Sequence, residues 1–204
     1  IPTFIRTLPD WLFSASSAGD LFSLCALCPL YIISLAYVSA IRFNIFISYS
    51  SKDIEDIMPV NILLKSIQDT DVFIADESLA PGTEISNELI NKISKTDIFI
   101  VFFSTNSAKS NYVQQEIGVA RANNKLIIPI VLDGTKPTGM LTGINYLDLS
   151  NQQKYQAEIG RLYNFINSNI QQKKQNQLIL VLGLLGLGYL MLNNSNSKKL
   201  MEQR

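Results

Sequence analysis

Histidine is absent from this 204-residue chain. Its absence removes the Ser-His-Asp and Cys-His nucleophile systems and most zinc sites, so any catalysis must run on carboxylates, hydroxyls and backbone groups, and no metal is expected. Cysteine is nearly absent. Cys25 and Cys28 have C-x-x-C spacing but sit in an apolar run, Leu21–Ile41, with no second pair and no basic neighbour to lower a thiol pKa, and they read as small hydrophobes. An excess of either charge is also missing. Seventeen basic residues balance 17 acidic ones, which leaves no electrostatic footprint for a nucleic-acid partner. No methionine precedes Met58 and the chain starts at isoleucine, so a fragment, a processed form and a reading frame carried upstream of its true start all stay open.

Composition divides what is present into segments. Residues 1–42 are apolar and poor in charge, with 21 uncharged residues between Asp20 and Arg42. That run is long enough to span a bilayer, but strand-like residues begin at Phe43 or Asn44 with almost no linker. A second membrane span, a signal-like anchor and translated upstream sequence without a role are three readings of it. At the other end, 171–177 reads as a polar linker and 193–204 as a polar tail. Between them Leu178–Leu192 (LILVLGLLGLGYLML) is uncharged, with Lys173 and Lys174 on one side and Lys198 and Lys199 on the other. A helix over this run covers roughly 22 Å, short of a ~30 Å hydrocarbon core unless its polar flanks dip in. It shows no polar face, so we expect it to be a transmembrane helix. Gly183, Gly186 and Gly188 would allow close helix approach but lack G-x-x-x-G spacing.

Residues 43–170 alternate between strand and helix patterns. Short apolar runs fall at Asn44–Ser48, Asp71–Ala75, Ile98–Phe103, Ile127–Leu132 and Asn145–Leu149; the third and fourth are apolar nearly throughout, as strands buried on both faces require. Between them Ile85, Leu89 and Ile93 recur at intervals of four after a Pro81-Gly82 turn and a possible cap at Thr83. Tyr155, Ile159, Leu162 and Ile166 form a longer stripe that makes 152–170 the closing helix. Ser50 and Asp53 have capping-box spacing, and Pro59 requires either a helix starting near it or a kink. The pattern predicts a parallel sheet with helices on both faces.

Ligands of such sheets bind at the carboxyl ends of the strands, which here are Tyr49–Lys52, Asp76–Gly82, Ser104–Tyr112 and Asp133–Pro137. No G-x-G-x-x-G or P-loop motif follows the first strand, so neither a Rossmann site nor a P-loop is supported. One carboxylate is out of place. In a helix over 112–123, Val113, Ile117 and Ala120 form the apolar stripe and Glu116 falls within it. Its neighbours at three and four residues are Tyr112, Val113, Val119 and Ala120, so no cation there neutralises it. Two explanations stay open. Glu116 lies at the rim of the stripe and reaches water, Arg121 or a backbone amide, or the helix carries it into the crevice beside the Ser104–Ser110 loop. An ionised carboxylate near a ribose stabilises the oxocarbenium-like state of N-glycosidic cleavage, and nicotinamide leaves as a neutral molecule without a strong general acid.

The runs FISYSSKD (46–53), DVFIADESLAPG (71–82), DIFIVFFSTNSAKSNYVQQEI (97–117) and IIPIVLD (127–133) resemble, in order and separation, the conserved boxes of Toll/interleukin-1 receptor (TIR) domains. The resemblance covers about 43–170. It implies a flavodoxin-like TIR fold, a five-stranded parallel sheet with helices on both faces. It also implies a loop after the second strand, here 75–82, that mediates assembly and borders the active site. NAD-cleaving relatives carry S-x-W-x-x-x-E on the helix after the third strand, ending in the catalytic glutamate. Here Ser110 and Glu116 are kept and Tyr112 replaces the tryptophan. By the same carry-over Ser48, Tyr49, Ser50 and Ser51 line the substrate pocket, with Asp76, Leu79 and Gly82 from the second-strand loop, and with Ser104 and Tyr112. Some enzymatic relatives have arginines where this chain has Ser50 and Ser51.

What the resemblance implies for function is an NAD+ glycohydrolase or cyclase, with Glu116 catalytic and NAD+ as substrate rather than bound cofactor. Such a protein is completed by homo-oligomer formation and serves antiphage signalling. The apolar run 178–192 would hold it at a membrane; Arg42, Lys173 and Lys174 agree with a TIR domain facing the cytoplasm, where NAD+ is abundant, and Lys198 and Lys199 argue the other way, so the topology stays open. The alternative is a signalling adaptor that only recruits other TIR domains.

Overall fold

Four short runs rich in β-branched and aromatic residues and one two-residue strand make the sheet: β1 (Phe43–Ser48), β2 (Thr70–Ile74), β3 (Ile98–Phe103), β4 (Leu126–Val131) and β5 (Leu147–Asp148). The computed structural model describes residues 41–75 and 87–202, with side chains described as far as residue 188. The strands run in the order β2-β1-β3-β4-β5 and every neighbouring pair is parallel. This is the flavodoxin-like doubly wound order, whose ligand crevice opens at the carboxyl ends of β1 and β3, where the winding reverses. The five expected strands are all present. Only two residues pair in β5, against the expected 145–149.

Helices cover both faces: α1 (Ile54–Ser66), α2 (Asn87–Lys95), α3 (Thr105–Lys109), α4 (Asn111–Ala122) and α5 (Tyr155–Glu202). The period-two alternation of strands sorts the core into two layers. Ile45, Ile47, Ile100 and Phe102 pack with Ile57, Val60 and Leu64 of α1 and with Leu162, Ile166 and Ile170 of α5. Phe46, Phe99, Val101 and Phe103 face the other way, onto Ile93 of α2 and Val113, Ile117 and Ala120 of α4. The stripes at intervals of three and four are therefore the faces that meet the sheet. Ser48, two residues beyond Phe46, is on the α4 side of β1. That placement decides the geometry of the site.

Several expectations give way. Pro59 lies inside α1, beyond its first turn, which removes the first of the two alternatives offered for it. The Ser50–Asp53 capping box does not form: Ser50 precedes a 3-10 turn, Ser51–Asp53, without a side-chain cap, because the Asp53 carboxylate is engaged elsewhere. The expected Ser104–Ser110 loop contains α3, five residues long. Residues 171–177, expected as a polar linker, continue α5, since a run of Gln, Lys and Asn without glycine or proline offers nothing that ends a helix.

The chain divides into two compact units, Arg42–Lys173, and Ile1–Ile41 with Lys174–Arg204. In the first, Lys173 ties α5 to β1 by donating to the Arg42 carbonyl at 2.8 Å and to Asp97 at 2.7 Å. Asp97 also accepts from the Asn44 N–H at 2.8 Å. In the second, the described part is helical from Lys174 to Glu202, and Leu180, Leu184 and Leu187 are more than half exposed. Among the described residues no helix is long and apolar enough to cross a membrane. The expected span at 178–192 is helical, but the side chains of its last four residues lie outside the described ones, as does all of the expected segment 1–40.

Candidate functional site

The site begins with a serine at the end of a central strand. β1 is held by ladders on both sides as far as Ile47, which pairs with Ile74 of β2, and Ser48 at its end pairs with Val101 of β3. Its side chain is fully buried and its hydroxyl donates to Glu116 Oε2 at 2.5 Å. Glu116 reaches it from the second turn of α4, in the same stripe as Val113, Ile117 and Ala120, and is 5% exposed. Helical periodicity thus carries the acid inward, away from bulk water. Arg121, offered by the sequence as a partner, instead donates to the Met140 carbonyl. The bond joins the end of β1 to the second turn of α4 through two buried side chains, Ser48 and Glu116.

A second buried carboxylate lies at the same edge of the sheet. Asp53, 4% exposed, accepts from the Ser104 hydroxyl at 2.5 Å and from Asn106 Nδ2 at 2.6 Å. Ser104 follows β3 and caps α3: its oxygen accepts from the N–H groups of Asn106 and Ser107, and the Ser107 hydroxyl accepts from the Ser104 N–H. These bonds tie the turn after β1 to the turn after β3, closing the floor of the crevice between them. Ser110 then caps α4 by accepting from the Val113 N–H, which sets the start of the helix that bears Glu116.

At the end of β4, Asp133 accepts from the Thr105 N–H and hydroxyl at 2.8 and 2.7 Å and from the Thr135 N–H at 3.0 Å. Partial burial opposes its ionisation, but the hydrogen bonds from Thr105 and Thr135 outweigh that and pull its pKa from 3.8 down to about 2. A carboxyl whose folded pKa is depressed contributes stability above its unfolded pKa and loses it as pH falls through the folded value. The stability difference between wild type and Asp133→Asn should therefore be constant above pH ~4, shrink between about 4 and 2, and vanish below. Urea unfolding across that range measures it; a difference unchanged at pH 2 would show that the ionised form is not what the threonines hold.

The structure brings together only part of the expected pocket. Ser48 and Glu116 meet directly. Tyr49 does not join them: as the next residue along the chain it falls on the opposite face, where its ring is buried against the layer of α1 and α5. Ser50 is buried and Ser51 exposed. Ser104, expected to touch substrate, has its proton on Asp53 and its oxygen on two backbone amides, so a cap role replaces that expectation. Tyr112 is half-buried on α4. Asp76, Leu79 and Gly82 lie outside the described residues. Asp53 was missed as a site residue, because its partners are 51 and 53 residues away and nothing local signals them. No cluster among the described residues could hold a metal ion.

A five-stranded parallel sheet in 2-1-3-4-5 order with helices on both faces and a buried acid on α4 defines a flavodoxin-like α/β domain. Residues 45–163 match the TIR domain family, and the chain belongs to it. No curated protein matches the chain. Among solved structures, it is similar to the TIR domain of the Toll-related receptor TRR-2 from Hydra magnipapillata, with 19% identity, 60% of this chain and 97% of that one covered, and a TM-score of 0.50. It is also similar to the TIR domains of the activated Roq1 resistosome, with 19% identity, 61% and 99% covered and a TM-score of 0.44. A third similarity is to a 2-desoxiribosyltransferase from Leishmania mexicana, with 21% identity, 47% and 67% covered and a TM-score of 0.36. At such identities the Hydra domain shares the fold.

Proposed function

We propose that this TIR domain cleaves the nicotinamide–ribose bond of NAD+, with Glu116 as the catalytic carboxylate. The observation that carries the reading is an acid held by a buried hydroxyl at the carboxyl end of β1, on the S-x-x-x-x-x-E spacing from Ser110 that NAD-cleaving relatives share. In the reaction the C1′–N bond breaks and its electron pair leaves with neutral nicotinamide. The ribosyl cation left behind is stabilised by the ionised carboxylate and captured by water, which gives up a proton to yield ADP-ribose, or by an adenine nitrogen, which yields a cyclic isomer. Tyr112 supplies an aromatic surface next to this chemistry. Self-association completes the site, in keeping with the family, and places the protein in immune, antiphage signalling.

Full-chain protein clustered on beads and incubated with NAD+ tests the reading, with nicotinamide and ADP-ribose products separated and counted. Release that rises with clustering supports it. A clustered protein that releases nothing would move the assignment to the adaptor reading, which the near-complete burial of Glu116 favours, since an acid already bonded to Ser48 is satisfied without substrate.

We also propose that 178–192 tethers the domain at a membrane and raises its effective concentration there, with the TIR domain facing the cytoplasm, where NAD+ is abundant. Supporting this are an uncharged run flanked by lysines and leucines of α5 that are exposed at 180, 184 and 187. Leu184→Lys should then move the protein from the alkali-resistant membrane fraction to the soluble one, because a lysine at the centre of a span costs roughly 3 kcal/mol. Equal partitioning of the variant and wild type would remove the tether.

A further inference from the structure

Ser48 was expected to line the substrate pocket; in the structure it is fully buried and its hydroxyl is bonded to Glu116. We propose that Ser48 is a positioning residue, whose hydroxyl holds the Glu116 carboxylate in the orientation in which it meets the ribose. The inference rests on the NAD-cleaving reading and adds a second residue to it.

Three observations carry it. Ser48 is the last residue of β1, paired with Val101 of β3, and follows Ile47, which pairs with Ile74 of β2, so the sheet fixes the backbone that carries its hydroxyl. Period-two alternation puts it on the layer of Phe46, Phe99 and α4, and a serine there interrupts an otherwise apolar layer at the one place where α4 presents an acid. A buried hydroxyl in an apolar layer is costly unless bonded, and its bond goes across 68 residues of sequence to Glu116. Glutamate has three side-chain torsions, and an electrostatic catalyst works best when its charge is already placed before the cation develops. Anchoring Oε2 to a strand end removes that freedom before substrate arrives.

The test is initial-rate kinetics of nicotinamide release by full-length protein clustered on beads, normalised to folded protein by circular dichroism. Wild type is compared with Ser48→Ala, with the shape-matched pair Ser48→Thr and Ser48→Val, and with Glu116→Gln. Thr and Val crowd the site equally and differ only in the hydroxyl, so folding or packing losses are common to both. We expect Ser48→Ala to lower kcat about tenfold with KM within about twofold, and Ser48→Thr to exceed Ser48→Val in kcat by a similar factor, the change that follows from one lost hydrogen bond to a charged group. Equal kcat for Thr and Val overturns the inference, as does a raised KM at unchanged kcat, which would mean that Ser48 touches substrate. Failure of the underlying reading looks different: either wild type releases no nicotinamide, or Glu116→Gln matches it, and in both cases Ser48 has nothing to position.

Discussion

Clustered protein carrying Glu116→Gln is expected to release nicotinamide about a thousand-fold more slowly than wild type, the loss typical of removing one preorganised charged or dipolar group from a transition state. Glutamine keeps the length and shape of the side chain, and its carbonyl can still accept from Ser48, so the 2.5 Å contact has a neutral successor and α4 keeps its place on the sheet. What disappears is the negative charge, which is the only feature that the proposed mechanism uses. The measurement is product formation from NAD+ under clustering, alongside thermal unfolding. Turnover within a few-fold of wild type would remove Glu116 from the chemistry. Glu116→Ala is the harsher variant, since it leaves the Ser48 hydroxyl buried without its acceptor and adds a stability loss to the catalytic one.

The second large effect concerns stability. Asp53→Ala should lower the unfolding free energy by about 1–3 kcal/mol, because it removes the acceptor of two hydrogen bonds and strands the buried Ser104 hydroxyl, while the exposed Asn106 amide turns to water. Asp71→Ala is the control: Asp71 is an exposed acid on β2, at a position where substitutions normally change stability by no more than about 0.5 kcal/mol. Urea unfolding of both variants measures the difference, and equal midpoints would show that the Asp53 network does not tie the two turns. The loss should also lower turnover, because the turn after β1 and the cap of α3 border the strand end that holds Ser48.

Much of the domain could be read without coordinates because its signals are local. β3 and β4 are apolar on both faces, and a strand of that kind has to be covered by helices on either side. The stripe Val113, Ile117, Ala120 with Glu116 inside it marked the acid as turned inward, since helical geometry ties those positions to one face whatever the surroundings. The capping box at Ser50 and Asp53 failed for a different reason. Its spacing was right, but Asp53 found two donors on the turn after β3, and a buried carboxylate goes to the partners that neutralise its burial best. Tyr49 failed through parity: one step along a strand reverses the face, and only the register of β1 against β3 shows which residue turns toward α4.

By itself the sequence determined the five strands, that the sheet is parallel, and that Glu116 falls within an apolar helical stripe, because periodicity and composition act over a turn or a few residues. Tertiary structure alone decided that Ser48 is the partner of that acid and that Asp53 joins Ser104 and Asn106. Those pairs are separated by 51 to 68 residues, and hydrogen bonds depend on where strand ends and helix turns arrive in space, which no local pattern encodes.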